Sequence, residues 1–295
     1  MTAQLIKDLS NKDYHAHKAT SRSALMELNK SPKKYHHKFI SEDYEHKETD
    51  ALRLGSAFHT LVLEPEDFAE HCAIHPEGKK RPTKPQLNAK EKTDSTALLI
   101  KFWEKFDDEN DGKTIIKQDE VDKLTAMAKS LRSEPAAQKI LGQKGLIEPS
   151  IFWTDKETGI DMKCKLDFVP LNYSILVDLK TTASVDRNKF EKSIADFGYD
   201  LQAFIATEAI FQLTGTRPEM FVFAAVEKEP PYDTGFFMAD SIVLKRGELL
   251  YRHLLNKLAG CRVKDEWPSQ GGGKVQAVSL SPWVINKMDE LKGEE

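Results

Sequence analysis

The chain has 295 residues, enough for two ordinary domains or one domain with an elaborated end, and its 43 basic and 47 acidic side chains leave a net charge of −4. That balance excludes a polycation holding nucleic acid or an anionic membrane by its average field, so any such site has to be a local concentration of charge. With 40% hydrophobic and 31% charged residues the composition is globular, which excludes collagen-like, mucin-like and low-complexity classes.

The opening MTAQLIKDLSNKDYH has no apolar h-region and no small-residue cleavage site, and nowhere do 18 apolar residues run together. Neither a signal peptide nor a spanning helix is expected, and the location expected is cytoplasmic, away from membranes. Cys72, Cys164 and Cys261 lie far apart with no CxxC pair. That fits a reducing cytosol better than a disulfide framework, and it excludes a zinc ribbon.

Residues 11 to about 40 are the most basic stretch. Between positions 15 and 40, Lys18, Arg22, Lys30, Lys33, Lys34 and Lys38 face Glu27 alone. Ser21 can cap a short helix over SRSALMELNK with Leu25, Met26 and Leu28 as its buried stripe, and Pro32 opens the next turn, which carries Tyr35 and Phe39. ALRLGSAFHTLVL (51–63) predicts an apolar helix that Pro65 ends, with Gly55 and His59 at i and i+4 on one face. Residues 76–92, with three prolines, five lysines and one arginine, read as an exposed, mobile connection. Helical patterns return over about 93–108 and 118–141.

The texture then changes. IEPSIFWT (147–154) alternates as a strand, DKETG makes a turn, IDMKCKLDFVP (160–170) alternates again, and SILVDLKTT (174–182) is a short apolar strand ending in charges. These three read as a meander. A strongly apolar helix follows over about 199–213, then strands at 220–227 and 235–243 and a last helix over about 245–260. The organisation expected is one α/β domain: a mainly helical part (1–145), an α/β core (146–265) and a C-terminal extension (266–295).

Two carboxylates and a lysine stand where chemistry would want them. Asp178 and Lys180 are two apart on a strand and share a face, and a hairpin can bring Asp167 beside Asp178. Acids this close repel unless a divalent cation lies between them, and hard oxygen ligands favour Mg2+, with Mn2+ as a substitute. Lys180, one pleat away, can position or deprotonate a water and stabilise charge growing on phosphorus. For an isolated DxK the competing reading is a solvated ion pair at a sheet edge; the second acid at hairpin distance is what raises the functional one.

The string GIDMKCKLDFVP followed by ILVDLKTT resembles the PD-(D/E)XK nuclease superfamily, and within it the exonuclease domain of the RecE (exodeoxyribonuclease VIII) family of phages and prophages. SRSALMELNKSPKKYHHKF looks like that family's opening segment and LRLGSAFHTLVLEP like its GxxxH helix. The acid of EPSIFW, the G-x-x-x-K-x-K-x-D run from Gly159 to Asp167, and GYDLQAF complete the order. The resemblance implies a mixed central sheet flanked by helices. It makes His59 a metal ligand from the helical part, Asp167 and Asp178 the central metal-binding carboxylates, Lys180 the catalytic lysine and the Leu179 carbonyl a further ligand. Glu148 matches an acid at the first strand, near the metal. Gln202 and Tyr199 match the helix where related enzymes carry a glutamine that orients the nucleophile or contacts the scissile strand. Two departures stand: Leu166 replaces the proline of the superfamily label, and Ala206 occupies the tyrosine position of Q-x-x-x-Y, a role that Tyr199 can fill from one turn upstream.

The activity so implied is exonucleolytic hydrolysis of linear double-stranded DNA from its ends, 5' to 3', leaving 3' single strands for recombination. It comes with a ring-like homo-oligomer around DNA and a RecT-like single-strand annealing partner. The alternatives are a non-catalytic DNA-binding or assembly module on the same fold, or a RecB-like nuclease acting on single strands; without a cysteine quartet an iron-sulfur form is not expected. Lys163 and Lys165 share a strand face with Asp167 and either touch DNA or form an exposed basic face. His15, His17, His36, His37, His71, His75 and His253 read as surface or packing residues, as do Trp153, Trp267 and Trp283 as packing. SQGGGK lacks P-loop spacing and reads as a flexible loop.

Overall fold

The computed structural model describes residues 3–41, 44, 49–285 and 287. The N-terminal part consists of β1 (Gln4–Ile6), α1 (Asn11–Ala16), α2 (Arg22–Lys30), α3 (Pro32–Phe39), α4 (Asp50–Leu63), α5 (Phe68–His71), β2 (Cys72–Ile74), α6 (Lys84–Asn88), α7 (Asp94–Glu109), β3 (Thr114–Ile116), α8 (Gln118–Ser133) and α9 (Pro135–Leu141). The C-terminal part consists of β4 (Gly145–Ile147), β5 (Ser150–Thr154), β6 (Asp161–Lys165), β7 (Phe168–Pro170), β8 (Ile175–Thr182), α10 (Arg187–Phe197), α11 (Tyr199–Thr214), β9 (Met220–Glu227), β10 (Thr234–Met238) and α12 (Ser241–Lys264).

Local chemistry sets the ends. Ser21 accepts from the Ala24 amide and Thr49 from that of Leu52, starting α2 and α4. The pattern over 118–141 is two helices, because Pro135 fits only the first turn of a new one. The strand expected over 235–243 stops at Met238, since Asp240 accepts from the amides of Ile242 and Val243 and opens α12. The connection over 76–92 is exposed but pinned: Lys80 accepts a hydrogen bond from the Trp103 indole, and Arg81 forks onto Asp107.

Five strands in the order β10-β9-β8-β7-β4 form the main sheet, with β8 and β9 parallel and the other neighbours antiparallel. A second sheet is ordered β1-β5-β6, and β2 pairs with β3 in parallel. The expected meander is therefore split. Its first two strands form one long hairpin whose tip, β5–β6, belongs to the second sheet and whose base, β4–β7, belongs to the first. The break falls at Glu148–Pro149 on one strand and Leu166–Asp167 on the other. Pro149 has no amide to give a ladder, Glu148 takes the left-handed conformation at φ 45, and two cross-strand bonds (Glu148 N to Asp167 O, Leu166 N to Pro149 O) hold the bend.

The central strands are buried on both faces, as a parallel pair covered by helices requires. Leu176, Phe221, Phe223 and Ala225 pack with α2, α11 and α12, while Val177, Leu179, Ala224 and Val226 pack beneath α4 and α8. Asp178 and Lys180 lie on the face of Leu176, toward α11.

Arg53 fastens α4 to α8 through paired bonds to Glu120, both 2.7 Å, and holds that carboxyl down to about 2 by hydrogen bonding. A depressed acid stabilises the fold above its ordinary pKa and loses that contribution as pH falls toward the folded value. The pair is partly solvated, so its Coulombic part is screened. Arg53→Gln is expected to cost about 1–2 kcal/mol at pH 7, with the gap to wild type closing between about pH 4.5 and 2; urea titrations across that range read it.

Residues 3–20 strap the hairpin: β1 pairs with β5, and Lys163 reaches across to the carbonyls of Tyr14 (2.5 Å) and His17 (2.8 Å). Lys163 does not form the exposed basic face considered from sequence. Its side chain is buried, over the Tyr14 ring, with its pKa pulled down to about 8 by desolvation, and the ammonium ties down α1. Lys163→Met should lower stability by about 1–3 kcal/mol through two abandoned carbonyls while leaving the DNA affinity of the folded protein unchanged, which paired melting and binding measurements distinguish.

Candidate active site

The bend in the hairpin is where the site begins. Glu148, a non-glycine residue in the left-handed region, stores strain of about 1–3 kcal/mol at this point. Asp167 sits opposite it, between β6 and β7 and not within a strand. Across from both, α4 delivers His59, whose Nδ1 lies 3.6 Å from Asp167 Oδ1 and 4.0 Å from Glu148 Oε1. Asp167 Oδ2 accepts from the Leu179 amide at 2.6 Å, which ties the bend to β8.

Asp178 lies mid-strand on β8, not at its end, because Thr181 and Thr182 continue the ladder with β9. Lys180 Nζ is 2.5 Å from its Oδ2, and Gln202 Nε2 from α11 donates to its Oδ1. Lys180 also stands 4.9 Å from the centroid of the Tyr199 ring. Tyr199 and Gln202 thus occupy one face of α11, one turn apart, over the sheet. The Gln202 Oε1 atom is buried without a hydrogen-bond partner, and Asp178 Oδ2 has its ion pair but no aligned hydrogen bond.

Burial, helped by Asp178, holds Asp167 up at about 6 against His59, Lys180 and the Leu179 amide, which pull it down. A carboxyl so raised is one whose charged form has lost its hydration. The donor set of three carboxylates and an imidazole, with a buried Asp178 oxygen short of a hydrogen bond, has the chemistry to hold a hard divalent cation. Among the described residues no three of these groups are already arranged as a ligand shell, because Asp178 is turned to Lys180 and Gln202 while Asp167 faces His59. Leu179 lies in the β8–β9 ladder opposite Ala224.

Residues 21–280 match the family described as a PDDEXK-like domain of unknown function, DUF3799. The chain belongs to this family. The DUF3799 match runs from the cap of α2 past the end of α12 and includes every residue of the site. No curated protein matches the sequence. Among solved structures, the fold is similar to the crystal structure of a protein from Eubacterium rectale described as a "putative exonuclease", with a TM-score of 0.59 over 97% of this chain and 99% of that one. At 15% identity that likeness establishes the fold alone. This DUF3799 chain therefore has the mixed α/β PD-(D/E)XK architecture expected from its sequence.

The structure brings His59, Glu148, Asp167, Asp178, Lys180, Tyr199 and Gln202 together around the hairpin bend and the middle of β8. Lys165 joins them in a different guise from the one expected: its ammonium bonds Leu9 O (3.0 Å) and Asn11 Oδ1 (2.8 Å) and sits 3.5 Å from Glu148 Oε2. It links the N-terminal strap to the site. Two residues escaped the sequence reading. Glu64, just past α4, has its pKa raised by burial and by Glu148 among nearby acids. Arg22, at the start of α2, lies within electrostatic reach of Asp178 and Tyr199. The SRS segment that carries Arg22 was visible as a basic stretch, a capped helix start and the family's opening segment, but not as part of the site.

Several of the remaining candidates pack, while His71 and His253 are exposed. His17 lies against Phe152, His75 against Trp103 and His36 against Trp267, which itself stacks on Tyr35; Trp153 is buried. Trp283 is 65% exposed, so the packing role expected for it does not hold. Among the described residues no helix is long and apolar enough to cross a membrane.

Proposed function

We propose that this chain is a metal-dependent exodeoxyribonuclease that hydrolyses linear double-stranded DNA from its ends in the manner of the RecE family, 5' to 3', leaving 3' overhangs for recombination. One observation carries the reading: Asp167, Asp178 and Lys180 converge with His59, Glu148 and Gln202 at one place in a PD-(D/E)XK fold. The fold likeness to a protein described as a "putative exonuclease" supports it. The reading includes Mg2+ or Mn2+ as cofactor, a ring-like homo-oligomer enclosing DNA, a RecT-like annealing partner and a cytoplasmic location.

Asp167 and Asp178, with His59, Glu148 and the Leu179 carbonyl beside them, would hold the cation, whose chemistry when bound is to polarise a phosphoryl oxygen and make water a better nucleophile. Lys180 brings positive charge to the edge of that carboxylate pair, where negative charge grows on phosphorus during in-line attack. Gln202 holds Asp178 through Nε2 and keeps Oε1 free to accept from a water or a strand hydroxyl. Lys165 steadies Glu148 from behind.

The test incubates purified protein with end-labelled linear duplex, covalently closed circular duplex and single-stranded DNA, with and without Mg2+. A chain at −4 cannot hold DNA by its average field, so basic surface has to be gathered around a channel that admits only free ends. Linear duplex should be digested, closed circles should survive, and activity should fall steeply with salt. Comparable digestion of circles moves the reading to an endonuclease, preference for single strands to a RecB-like enzyme, and no cleavage at all to a non-catalytic module.

A further inference from the structure

Helix α2 packs into the same core as α11 and α12, and its first residue carries a guanidinium to the α10–α11 junction. There Arg22 Nη2 donates to the carbonyl of Phe197, the last residue of α10, while Nε is buried with no hydrogen-bond partner. Among the described residues no carboxylate forms a salt bridge with it. Asp200 is taken by Arg246 and by the Leu201 amide, and Asp178 by Lys180 and Gln202. Desolvation draws the Arg22 pKa down, against the pull of Asp178, Tyr199 and Asp200. A half-buried cation left without a contact anion is costly, and the molecule retains one beside its reactive centre.

The junction also carries a helix N-terminus. Helix α11 starts directly after Gly198, at φ 65, which has no side chain to cap it; Asp200 Oδ1 takes the Leu201 amide, and the positive end of this 16-residue helix lies at the same junction. A Cβ on Gly198 would come within 2.7 Å of Met26 Sδ, which shows how closely α2 lies on this turn. Tyr199, the first residue of α11, is within electrostatic range of both Arg22 and Lys180. Positive groups therefore flank Asp178 on the α11 side, while Glu148, Asp167 and His59 occupy the side of the bend.

We infer that Arg22 binds a phosphate group of the substrate strand at the α10–α11 junction, beside Asp178 and Lys180. This rests on the nuclease reading for its substrate, and on the unpartnered Nε for its site. A guanidinium offers a planar fork that fits two phosphate oxygens, which a lysine ammonium cannot reproduce. The same chemistry serves an internal phosphodiester or a 5'-terminal phosphomonoester.

The full-length protein, Arg22→Gln and Arg22→Lys are compared by fluorescence anisotropy on a duplex with 5'-phosphate or 5'-hydroxyl ends, in EDTA and across a salt series. Melting with added inorganic phosphate, and kcat and KM with Mg2+, complete the comparison. Arg22→Gln should weaken binding about tenfold or more, reduce the slope of log affinity against log salt by about one, raise KM, and abolish the rise in melting temperature that phosphate gives the wild type; Arg22→Lys should fall between. Loss confined to 5'-phosphorylated ends assigns the terminal group, and equal loss on both ends assigns an internal phosphodiester. Wild-type affinity and salt slope in a folded Arg22→Gln would overturn the inference, leaving Arg22 as a clasp on Phe197. If Arg22→Gln does not fold, wild-type affinity in Arg22→Lys together with no phosphate effect on wild-type melting overturns it equally. Absence of metal-dependent cleavage by the wild type, with Arg22-dependent binding retained, would instead remove the nuclease reading and leave the phosphate site standing.

Discussion

Asp167→Asn and Asp178→Asn are each expected to reduce DNA cleavage by about 10³-fold or more while the fold survives. The amide keeps the size of the side chain and an acceptor for the Leu179 amide, but removes the charge that a divalent cation needs. Asp167 also supplies a readout independent of turnover. With its pKa pushed up to about 6, the folded chain binds more protons than the unfolded one between the ordinary carboxylate value and 6. Stability therefore falls as pH rises through that window, and at neutral pH the ionised carboxyl is a penalty that a bound cation relieves. Adding Mn2+ at pH 7.5 should raise the melting temperature of the wild type and leave Asp167→Asn unmoved. Full cleavage by either variant would sink the assignment of these carboxylates.

Lys180→Ala should lower turnover by about 10²-fold or more, the scale for losing one charge-stabilising or proton-transferring group. Its ammonium pairs with Asp178 and lies near the Tyr199 ring, so its loss frees an Asp178 oxygen to meet a cation. Metal affinity should then stay level or improve as kcat collapses. Calorimetry that finds metal binding lost, with cleavage intact, would reverse the roles given to Lys180 and the carboxylates.

Much of this architecture was legible in the order of residues. The apolar run of β8 interrupted at Asp178 and Lys180 is a local conflict between burial and charge, and such conflicts collect at functional sites. The α4 pattern with His59 on one face, the capped start of α2 and the apolar α11 were readable from periodicity and caps. What escaped was tertiary. Alternation along 160–170 continues through Leu166 and Asp167 with no sign that the strand changes sheets there; Pro149 on the partner strand was the available signal. Nothing in LIEPS reveals that Glu148 is left-handed. The short strands β1, β2 and β3 have three residues each, too few for a periodic signal. Helix α10 went unread because its polar face outweighs its one buried residue, Phe190. Lys163 looked like surface because lysine usually is, and only the strap of residues 3–20 explains its burial.

The bent hairpin also divides the site by the order in which its parts can form. Glu148 and Asp167 are brought together by a loop that closes on its own tight turn, where Asp155 accepts from the Thr158 amide and hydroxyl, so their juxtaposition costs little chain entropy. Asp178 is opposite Phe223 in the β8–β9 ladder, and that pairing waits for the whole α10–α11 crossover to fold back. Contacts with short sequence separation form first, and parallel pairing across a long crossover forms late. Strand β8 itself joins the bend by its antiparallel pairing with β7 and the Leu179 amide bond to Asp167, so the acids assemble locally, and the late parallel pairing is what brings Gln202 of α11 onto Asp178.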